Sequence, residues 1–324
     1  MKVAVLGATG AVGRTMLQVL EERDVAVDEL VPLASARSAG ATIRFRDRDW
    51  PVAEPSASSF AGCALALFSA GAARSRTWAE TAAQAGAVVI DNSSAWRMDD
   101  AVPLVVPEVN AAAAANRPKG IIANPNCATI QLVVVLEALR RVVSLRSVIA
   151  TTFQSVSGAG QAGIDALHAE QRGAISDSPF VAPIAGNVIP WIGPRDEDGW
   201  NEEETKIRSE TRRILSLPQL AVSATCVRVP VDVCHSIAAA VHLSRPLDRT
   251  RARAALAAMP NLTVCDDGRD PVPLDVAGSD GVRVGHLRID PDVPNVLHLW
   301  IVADNLRKGA ATNAVQIAET VIDA

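Results

Sequence analysis

The residues with the clearest chemical potential surround Cys127, in the segment Asn-Pro-Asn-Cys-Ala-Thr-Ile-Gln at positions 124–131. A turn-forming Pro/Asn stretch precedes the cysteine and the apolar-periodic run 132–143 follows it, so the spacing predicts a helix with Cys127 at its start. Unpaired backbone N–H groups and the helix dipole favour a thiolate over a thiol there. The pattern indicates a nucleophile, although a free cysteine is more often a small buried side chain.

Two further candidates flank the end of a predicted strand. They are Arg228 and His235, in the segment Val-Arg-Val-Pro-Val-Asp-Val-Cys-His at positions 227–235. A lone histidine is more often structural than catalytic, and a nearby arginine is commonly a surface charge. Local sequence alone therefore leaves both assignments open.

The first residues of the chain predict a dinucleotide site. A buried strand at 2–6 is followed by Gly-Ala-Thr-Gly-Ala-Val-Gly and then by an amphipathic helix. Glycines let the backbone turn sharply and approach a pyrophosphate, which lies on the helix N-terminus. The GxxGxxG spacing differs from the usual GxGxxG, and the alternative is an ordinary strand-to-helix turn. The cofactor residues assigned here are Gly7, Thr9, Gly10, Ala11, Val12 and Gly13.

The end of the second predicted strand (29–34) bears on the choice of cofactor. An acidic residue at this place binds the ribose hydroxyls in NAD-binding proteins, but the segment 35–40 reads Ser-Ala-Arg-Ser-Ala-Gly. The hydroxyls of Ser35 and Ser38 and the guanidinium of Arg37 suit a 2′-phosphate. The sequence therefore favours NADP, with a polar surface loop as the alternative.

Further strand signals at 65–68 and 87–90 alternate with alanine-rich helical stretches, which predicts a Rossmann-type doubly wound parallel sheet. Ligands of such sheets lie outside the carboxyl ends of the strands. We therefore expect the loops that follow these strands to converge on one cleft with Arg97 and the turn before Cys127. The loop residues assigned to the cofactor are Ser69, Gly71 and Asn92. The alanine run 111–115 is expected to be helix surface.

Beyond residue 147 the pattern changes to longer strands, predicted at 147–154, 220–231, 236–243, 282–289 and 296–303. Helices are predicted at 161–171, 202–215 and 249–259, and a proline-rich loop at 179–194. This is the pattern of a mostly antiparallel α+β domain. We expect a cofactor domain at 1–127, completed by a C-terminal helix within 308–324, and a catalytic and dimerisation domain at 128–307.

Composition limits the class of protein. With 324 residues, 49% of them hydrophobic, the chain can bury a large core, and a net charge of −5 argues against a nucleic-acid surface. Five cysteines without a CxxC pair favour free thiols in a reducing compartment over disulfides or a zinc site. No apolar run reaches the roughly 18 residues of a membrane span. We expect a cytoplasmic protein that binds small molecules. We do not expect it to bind a metal, a membrane or a nucleic acid.

Several blocks, in order and over nearly the whole chain, resemble the bacterial aspartate-β-semialdehyde dehydrogenases. The blocks are GATGAVG at 7–13, ASARSAG at 34–40, DNSSAWRM at 91–98, VVPEVN at 105–110, GIIANPNCATIQ at 120–131, QSVSGAG at 154–160 and DNLRKGAATNAVQ at 304–316. The resemblance implies a fold like that of glyceraldehyde-3-phosphate dehydrogenase and a homodimer, with a tetramer as the alternative. It also implies NADPH-dependent reduction of L-4-aspartyl phosphate to L-aspartate 4-semialdehyde through a cysteine thioester, in lysine, threonine and methionine biosynthesis.

The resemblance implies a role for each matching residue. Cys127 matches the nucleophile, Gln154 the residue that orients the substrate, and His235 an acid–base group, for which a pKa near 7 would be suitable. Arg228 matches the arginine that binds the substrate carboxylate. The remaining substrate residues are Arg97 and Lys206 for the phosphate, Glu203 for the amino group, and Asn126; Ser157, Gly158 and Asn305 join the cofactor set.

Two other functions stay open at this point. N-acetyl-γ-glutamyl-phosphate reductases use the same thioester chemistry, but their cysteine loop usually reads Asn-Pro-Gly-Cys, whereas Asn126 precedes Cys127 here. A catalytically inactive NADP-binding paralogue is the other alternative. The joint presence of Cys127, Gln154, Arg228 and His235 argues against it.

Overall fold

A computed structural model describes residues 1–175 and 177–322 of the chain. The chain forms two compact units. The first contains residues 1–125 together with the C-terminal segment that begins at Ala310, and the second contains residues 126–309. No helix within the described ranges is long and apolar enough to cross a membrane. Within the same ranges, no group of three or more His, Cys, Asp or Glu side chains could hold a metal ion.

The first unit is built on a parallel sheet of five strands. Its strands are β1 (Lys2–Leu6), β2 (Glu29–Leu33), β5 (Leu65–Phe68), β6 (Val88–Asp91) and β7 (Ile121–Ala123), and a separate hairpin joins β3 (Thr42–Phe45) to β4 (Arg48–Pro51). Its helices are α1 (Ala11–Glu22), α2 (Ala72–Gln84), α3 (Pro107–Asn110) and α9 (Thr312–Ile322). The order β2-β1-β5-β6-β7 reverses direction next to β1. Such a reversal is where ligands bind in doubly wound sheets.

Burial explains the strand sequences of this unit. Val3, Val5, Leu65 and Leu67 are almost fully buried, as expected for parallel strands covered on both faces. Helix α1 packs Met16 and Leu20 into the same core, and α9 contributes Val315 and Ile317. The C-terminal helix is therefore part of the first unit. A π-helical turn at Arg307–Ala311 precedes it.

Three features of this unit differ from the sequence-based predictions. The hairpin at 42–51 and the three-residue strand β7 were not predicted, because short strands offer little periodicity to detect. The alanine run Ala111–Ala115 is a 3₁₀ helix whose Ala114 is 1% exposed, so the run is not only surface. The cofactor-domain strand predicted at 87–90 lies one residue later, at Val88–Asp91.

The second unit is built on a six-stranded mixed sheet in the order β11-β12-β13-β10-β8-β9. Its strands are β8 (Leu145–Gln154), β9 (Ala221–Arg228), β10 (His235–Leu243), β11 (Leu262–Val264), β12 (Val282–Ile289) and β13 (Val296–Ala303). Its helices are α4 (Cys127–Arg140), α5 (Gln161–Gln171), α6 (Glu202–Ile214), α7 (Arg249–Ala257) and α8 (Pro273–Val276). The central pairs are antiparallel and the two edge pairs are parallel, which confirms the predicted α+β class. Strand β9 ends at Arg228, before the predicted 231, since Pro230 has no N–H for the ladder.

Candidate active site

The candidate nucleophile occupies the first turn of α4. Asn126 caps this helix, because its side-chain Oδ1 accepts hydrogen bonds from the backbone N–H groups of Ala128 (2.9 Å) and Thr129 (3.2 Å). Cys127 is the first helical residue and is partly exposed. The structure thus confirms that a helix begins at Cys127. A side chain at this position lies in the positive field of the helix N-terminus.

Helix α6 fixes the loop before Cys127 with two buried carboxylates. Glu203 Oε1 accepts from Asn126 Nδ2 at 2.7 Å, and Glu210 Oε2 accepts from the backbone N–H of Asn126 at 2.6 Å. Glu203 Oε1 also accepts from Gln154 Nε2 at 3.2 Å. The Glu203 carboxylate therefore connects Asn126, which caps α4, to Gln154 at the end of β8.

The sequence analysis did not assign a role to Glu210. Its hydrogen bond with the backbone of Asn126 is visible only in the folded structure. A weak sequence signal exists, because Glu203 and Glu210 are seven residues apart and so share one helix face. Glu204, the residue next to Glu203, completes a capping box with Asn201 and accepts from the backbone N–H of Cys226 at 3.0 Å. The acidic residues in the first turn of α6 thus contact β9 as well as the loop before Cys127.

Strand register places three predicted residues in one row. Gln154 on β8 is paired with Arg228 on one side and with His235 on the other. His235 is paired in turn with Ala303, which directly precedes Asp304 and Asn305. Residues separated by up to 149 positions along the chain therefore meet at one end of the sheet.

His235 is completely buried and is held through one ring nitrogen. The backbone N–H of Ser155 donates to Nδ1 at 3.1 Å, and the Ser155 hydroxyl also lies 3.1 Å from Nδ1. Burial, reinforced by the positive charge of Arg228, lowers the pKa of His235 to about 3, against a weaker opposing effect of the Cys234 backbone. This pKa lies well below the value near 7 that would suit an acid–base group, because burial of the ring disfavours the charged imidazolium.

Arg228 is also buried, and its guanidinium has an identified partner. Its Nη1 donates to the carbonyl oxygen of Ser155 at 2.6 Å, and the group lies 5.6 Å from the centre of the Phe180 ring. Burial lowers the pKa of Arg228, and the negative charge of Glu203 opposes this effect. A Cβ added to Gly158 would lie 2.6 Å from Arg228 Nη1 and 3.4 Å from His235 Nε2. A side chain at position 158 would therefore displace the Arg228 guanidinium, whereas the distance to His235 Nε2 is that of an ordinary contact.

Asn305 joins the histidine to the end of β13. Its Oδ1 accepts from the hydroxyls of Ser155 (3.0 Å) and Ser157 (3.2 Å) and from the backbone N–H of Cys234 (2.8 Å), while its Nδ2 donates to Ser157 Oγ at 2.9 Å. Cys234 has φ +77°, an unusual conformation for a residue with a side chain. Asn305 and Ser157, which the resemblance assigns to the cofactor, thus also support the backbone around His235.

The predicted phosphate-binding cations differ in their surroundings. Lys206 Nζ forms an ion pair with Glu202 at 2.7 Å and lies 3.9 Å from Glu203, so it belongs to the α6 cluster of the second unit. Arg97 lies in the first unit and is 8% exposed; it donates to the backbone carbonyls of Asn124 (3.0 Å) and Asn92 (2.9 Å). Arg97 therefore ties together the carboxyl ends of β6 and β7.

The glycine turn of the first unit is packed as a nucleotide loop requires. Gly7 has φ +90°, and a Cβ there would lie 2.4 Å from the Ser69 carbonyl oxygen. A Cβ at Gly13 would lie 2.1 Å from the Gly7 carbonyl oxygen. The backbone N–H groups of Gly7 and Ala8 both donate to Leu33 O, at 2.8 and 3.2 Å, so the turn is fixed to the end of β2. Thr9 lies within the turn, and Ala11 and Val12 are the first residues of α1.

The loop after β2 carries the predicted 2′-phosphate residues. Ser35 and Ser38 form its first turn, where Ser38 N–H donates to Ser35 O at 2.8 Å. Arg37 is exposed, and no hydrogen bond of its guanidinium is found with the residues that the structure describes. Gly71 and Ser69 follow β5, and Asn92 follows β6, as the sequence predicts. The first unit therefore gathers its share of the predicted cofactor residues at the carboxyl edge of the sheet.

Family models match both parts of the chain. The semialdehyde dehydrogenase NAD-binding domain matches residues 2–117, and the semialdehyde dehydrogenase dimerisation domain matches residues 136–308. Together these two matches span most of the 324 residues. They divide the chain into a nucleotide-binding part and a part associated with dimerisation.

Individual proteins are similar over the full length. An aspartate-semialdehyde dehydrogenase of Aquifex aeolicus is 46% identical over 99% of this chain and 98% of its own, and one of Bacillus subtilis is 43% identical over 99% and 97%. The crystal structure of aspartate semialdehyde dehydrogenase II from Vibrio cholerae, complexed with ASA, has a TM-score of 0.95 and 44% identity, covering 99% of this chain and 98% of that one. The similarity thus includes both units.

Proposed function

The chain belongs to the aspartate-semialdehyde dehydrogenase family, and we propose that it reduces L-4-aspartyl phosphate to L-aspartate 4-semialdehyde with NADPH, through a thioester on Cys127. The observation that carries the assignment of the nucleophile is the helix start at Asn126–Cys127, which Glu203 connects to Gln154. Gln154 in turn lies in one row with Arg228 and His235. A cysteine at a helix N-terminus, in the field of the buried Arg228 guanidinium, suits acyl transfer.

The proposed reaction has two halves. The Cys127 thiolate adds to the acyl carbon of the aspartyl phosphate, and collapse of the tetrahedral adduct expels inorganic phosphate and leaves the thioester. NADPH, when bound, would provide the hydride that reduces the thioester, and Cys127 would then leave as the thiolate while the aldehyde forms. The positive end of the α4 dipole would favour the negative charge of the thiolate and of the oxyanion in both halves.

Charge supports the proposed substrate. Arg228 offers a guanidinium for the α-carboxylate, and Glu203 offers a carboxylate for the α-amino group. Lys206 and Arg97 are the proposed phosphate ligands, by resemblance to the family. Gln154 and Asn126 are proposed to contact the substrate by resemblance to the family, and the amide of each also donates to Glu203. Two guanidinium groups and one ammonium match a substrate with a carboxylate and a phosphate.

The cofactor preference is part of the proposal. Ser157, Gly158 and Asn305 are proposed contacts at the nicotinamide end, and the glycine turn with Ser69, Gly71 and Asn92 at the diphosphate end. Arg37 is proposed to bind the 2′-phosphate that distinguishes NADP from NAD, because it is exposed in a loop where NAD-binding proteins place an acid. The matching family model is described as a NAD-binding domain and does not distinguish NADP from NAD. The preference for NADP therefore rests on Arg37.

Arg37→Ala should raise the KM for NADP about tenfold or more and change the KM for NAD by less than about twofold, since only NADP offers the guanidinium a phosphate. Steady-state kinetics with both cofactors measures this. Arg44→Ala is the matched control, because it removes an exposed guanidinium from the β3–β4 hairpin of the same unit. Equal changes for both cofactors would assign Arg37 to the protein surface.

We also propose that the chain forms a homodimer through the second unit. One face of its sheet carries Ile149, which is 52% exposed, and the rings of Phe153 and Trp300, whose centroids lie 5.5 Å apart at an interplanar angle of 48°. Large apolar side chains on an open sheet face are typical of subunit contacts. The match of this unit to a dimerisation domain supports a second copy of the chain as the partner.

One assay separates the proposed function from its alternatives. The protein is incubated with L-aspartate 4-semialdehyde, inorganic phosphate and NADP, and NADPH is followed by absorbance. We expect phosphate-dependent formation of NADPH with this aldehyde and none with N-acetyl-glutamate 5-semialdehyde. The opposite preference would identify an N-acetyl-γ-glutamyl-phosphate reductase. Cofactor binding without turnover on either aldehyde would identify an inactive paralogue.

A further inference from the structure

Asn126, the residue before the candidate nucleophile, is held through each of its polar groups. Its side-chain Oδ1 caps α4, and its carbonyl oxygen accepts from the backbone N–H of Ile130 at 3.0 Å. Its side-chain Nδ2 donates to Glu203, and its backbone N–H donates to Glu210 Oε2 at 2.6 Å. Cys127 is bonded directly to Asn126, so the contacts that fix Asn126 also fix the backbone that carries the thiol.

The contact with Glu210 replaces half of a capping box. In a capping box the third helical residue is a glutamate or glutamine, and its side chain accepts from the backbone N–H of the cap residue. Helix α6 has this arrangement, since Glu204 accepts from the backbone N–H of Asn201 at 3.1 Å. In α4 the third residue is Thr129, whose hydroxyl has no hydrogen-bond partner among the residues that the structure describes. Glu210, on a different helix, supplies the acceptor instead.

The hydrogen bond between Glu210 and the Asn126 N–H is short and buried. The Glu210 residue is 1% exposed. An N–H that donates to an ionised carboxylate forms a bond roughly twice as strong as one between neutral groups. A carboxylate at this place also lies at the positive end of the α4 dipole, where a negative charge is stabilised. Both effects strengthen the contact between α6 and the residue that caps α4.

Glu203, the other carboxylate on Asn126, is shared among several donors. Its Oε1 accepts from both Asn126 Nδ2 and Gln154 Nε2, and its Oε2 lies 3.9 Å from Lys206 Nζ. The proposed function also assigns the substrate amino group to Glu203, so one more donor joins this carboxylate when substrate binds. Glu210 has no substrate role in the proposed function. Its contact with the Asn126 N–H therefore does not depend on bound substrate.

We propose that Glu210 is a positioning residue for the nucleophile. From α6 it supplies the acceptor that the third residue of α4 does not supply, and so it holds Asn126, and with it the Cys127 thiol, in the reactive position before and after substrate binds. Glu210 acts through Asn126 and takes no part in bond making or breaking. The proposal rests on Cys127 as the nucleophile of the proposed function.

Amide hydrogen exchange tests this support directly and needs no turnover. Exchange of a peptide covering residues 121–131 is followed by mass spectrometry in the wild-type protein and in Glu210→Ala. We expect the amides at the start of α4 to exchange about tenfold faster or more in the variant, since the loss of one hydrogen bond to a charged group has an effect of that size. Unchanged exchange in the folded variant would overturn the proposal.

Glu137→Ala is the matched control. Glu137 is a buried carboxylate at the opposite end of α4, where it forms ion pairs with Arg140 and Arg141. Its loss should lower the melting temperature, as the loss of Glu210 should. It should leave kcat and exchange at the start of α4 within about twofold of wild type, because the two ends of the helix are far apart. Equal effects of both substitutions on kcat would reduce Glu210 to a contributor to overall stability and would overturn the proposal.

Kinetics separate a positioning residue from a substrate ligand. In Glu210→Ala we expect kcat to fall about 10–100-fold and the KM for L-aspartate 4-semialdehyde to change by less than about twofold, because fewer molecules hold Cys127 in the reactive position. Glu210→Gln keeps an oxygen acceptor without the charge and should lose less than about tenfold in kcat. A rise in KM at unchanged kcat would make Glu210 a substrate ligand, and equal losses in the two variants would show that acceptance from Asn126 is not the required property. Either result overturns the proposal.

Failure of this inference can be told apart from failure of the proposed function. If the wild-type protein forms no NADPH from L-aspartate 4-semialdehyde, phosphate and NADP, the proposed function fails. If it does form NADPH, but the Glu210 variants match the control in exchange and kcat, only the role of Glu210 is wrong. Should Glu210→Ala not fold, Glu210→Asp gives the same test with losses in the same direction, because its shorter side chain keeps the charge and withdraws the oxygen from the Asn126 N–H. Wild-type exchange and kcat in that variant would overturn the proposal.

Discussion

Replacement of Cys127 by serine is expected to lower kcat by more than about 10³-fold, a loss of over ~4 kcal/mol of transition-state stabilisation. A serine hydroxyl is far less ionised than a thiol at neutral pH and so is a much weaker nucleophile. Binding of NADP should remain unchanged, because the proposed cofactor residues lie on other segments. Initial rates in both directions and a fluorescence titration with NADPH measure the two quantities separately.

The remaining cysteines provide the control for this experiment. Cys265→Ser changes a partly exposed thiol just beyond β11, outside the proposed catalytic groups, and should keep wild-type kcat. Without phosphate, the wild-type and Cys265→Ser proteins should each release one equivalent of NADPH per subunit in a burst, since the thioester cannot then be cleaved. The Cys127→Ser protein should show no burst. A burst of normal size in that variant would assign the nucleophile to another residue.

Features determined by local sequence could be predicted well. The start of α4 followed from Pro125 and Asn126 in front of an apolar run, and the cap through Asn126 Oδ1 gives the physical reason. The strand signal at 65–68 matched its observed bounds, since a short apolar run between turn residues leaves few alternatives. The strand-to-helix turn at Gly7 followed from the steric need for glycine, which the close approach of Ser69 O makes explicit.

Features that depend on long-range contacts could not be predicted in the same way. No local pattern indicates that Gln154 is in register with both Arg228 and His235, because register is fixed by the whole sheet. The low pKa of His235 depends on burial and on Arg228, and neither is visible in the residues next to it. The role of Glu210 as a support for Asn126 depends on how α6 packs against α4.

The family resemblance and the geometry contribute different information about Arg97. The resemblance assigns it to the phosphate, while the structure shows its guanidinium on the carbonyls of Asn92 and Asn124. In the arrangement described, Arg97 holds two loops at the carboxyl edge of the sheet. Its contact with phosphate is a proposal that rests on the resemblance to the family.

Arg228→Met is expected to lower kcat/KM for L-aspartate 4-semialdehyde by about 10³-fold. A paired charge-assisted contact to the substrate carboxylate contributes roughly 1.5–3 kcal/mol per hydrogen bond, and methionine removes both bonds while filling similar space. Steady-state kinetics with the natural aldehyde measures this loss. It does not by itself identify the cause, since Arg228 also donates to the backbone carbonyl of Ser155.

A second substrate separates these two causes. 3-Aminopropanal is the same aldehyde without the carboxylate, so a carboxylate clamp has nothing to bind. If Arg228 binds the substrate carboxylate, the wild-type enzyme should discriminate against 3-aminopropanal by about 10³-fold, and Arg228→Met should lose nearly all of that discrimination. If Arg228 acts mainly through Ser155, and so through the N–H that orients His235, the variant should lose the same factor with both aldehydes. Equal losses would therefore contradict the carboxylate assignment and make Arg228 a positioning residue for the histidine.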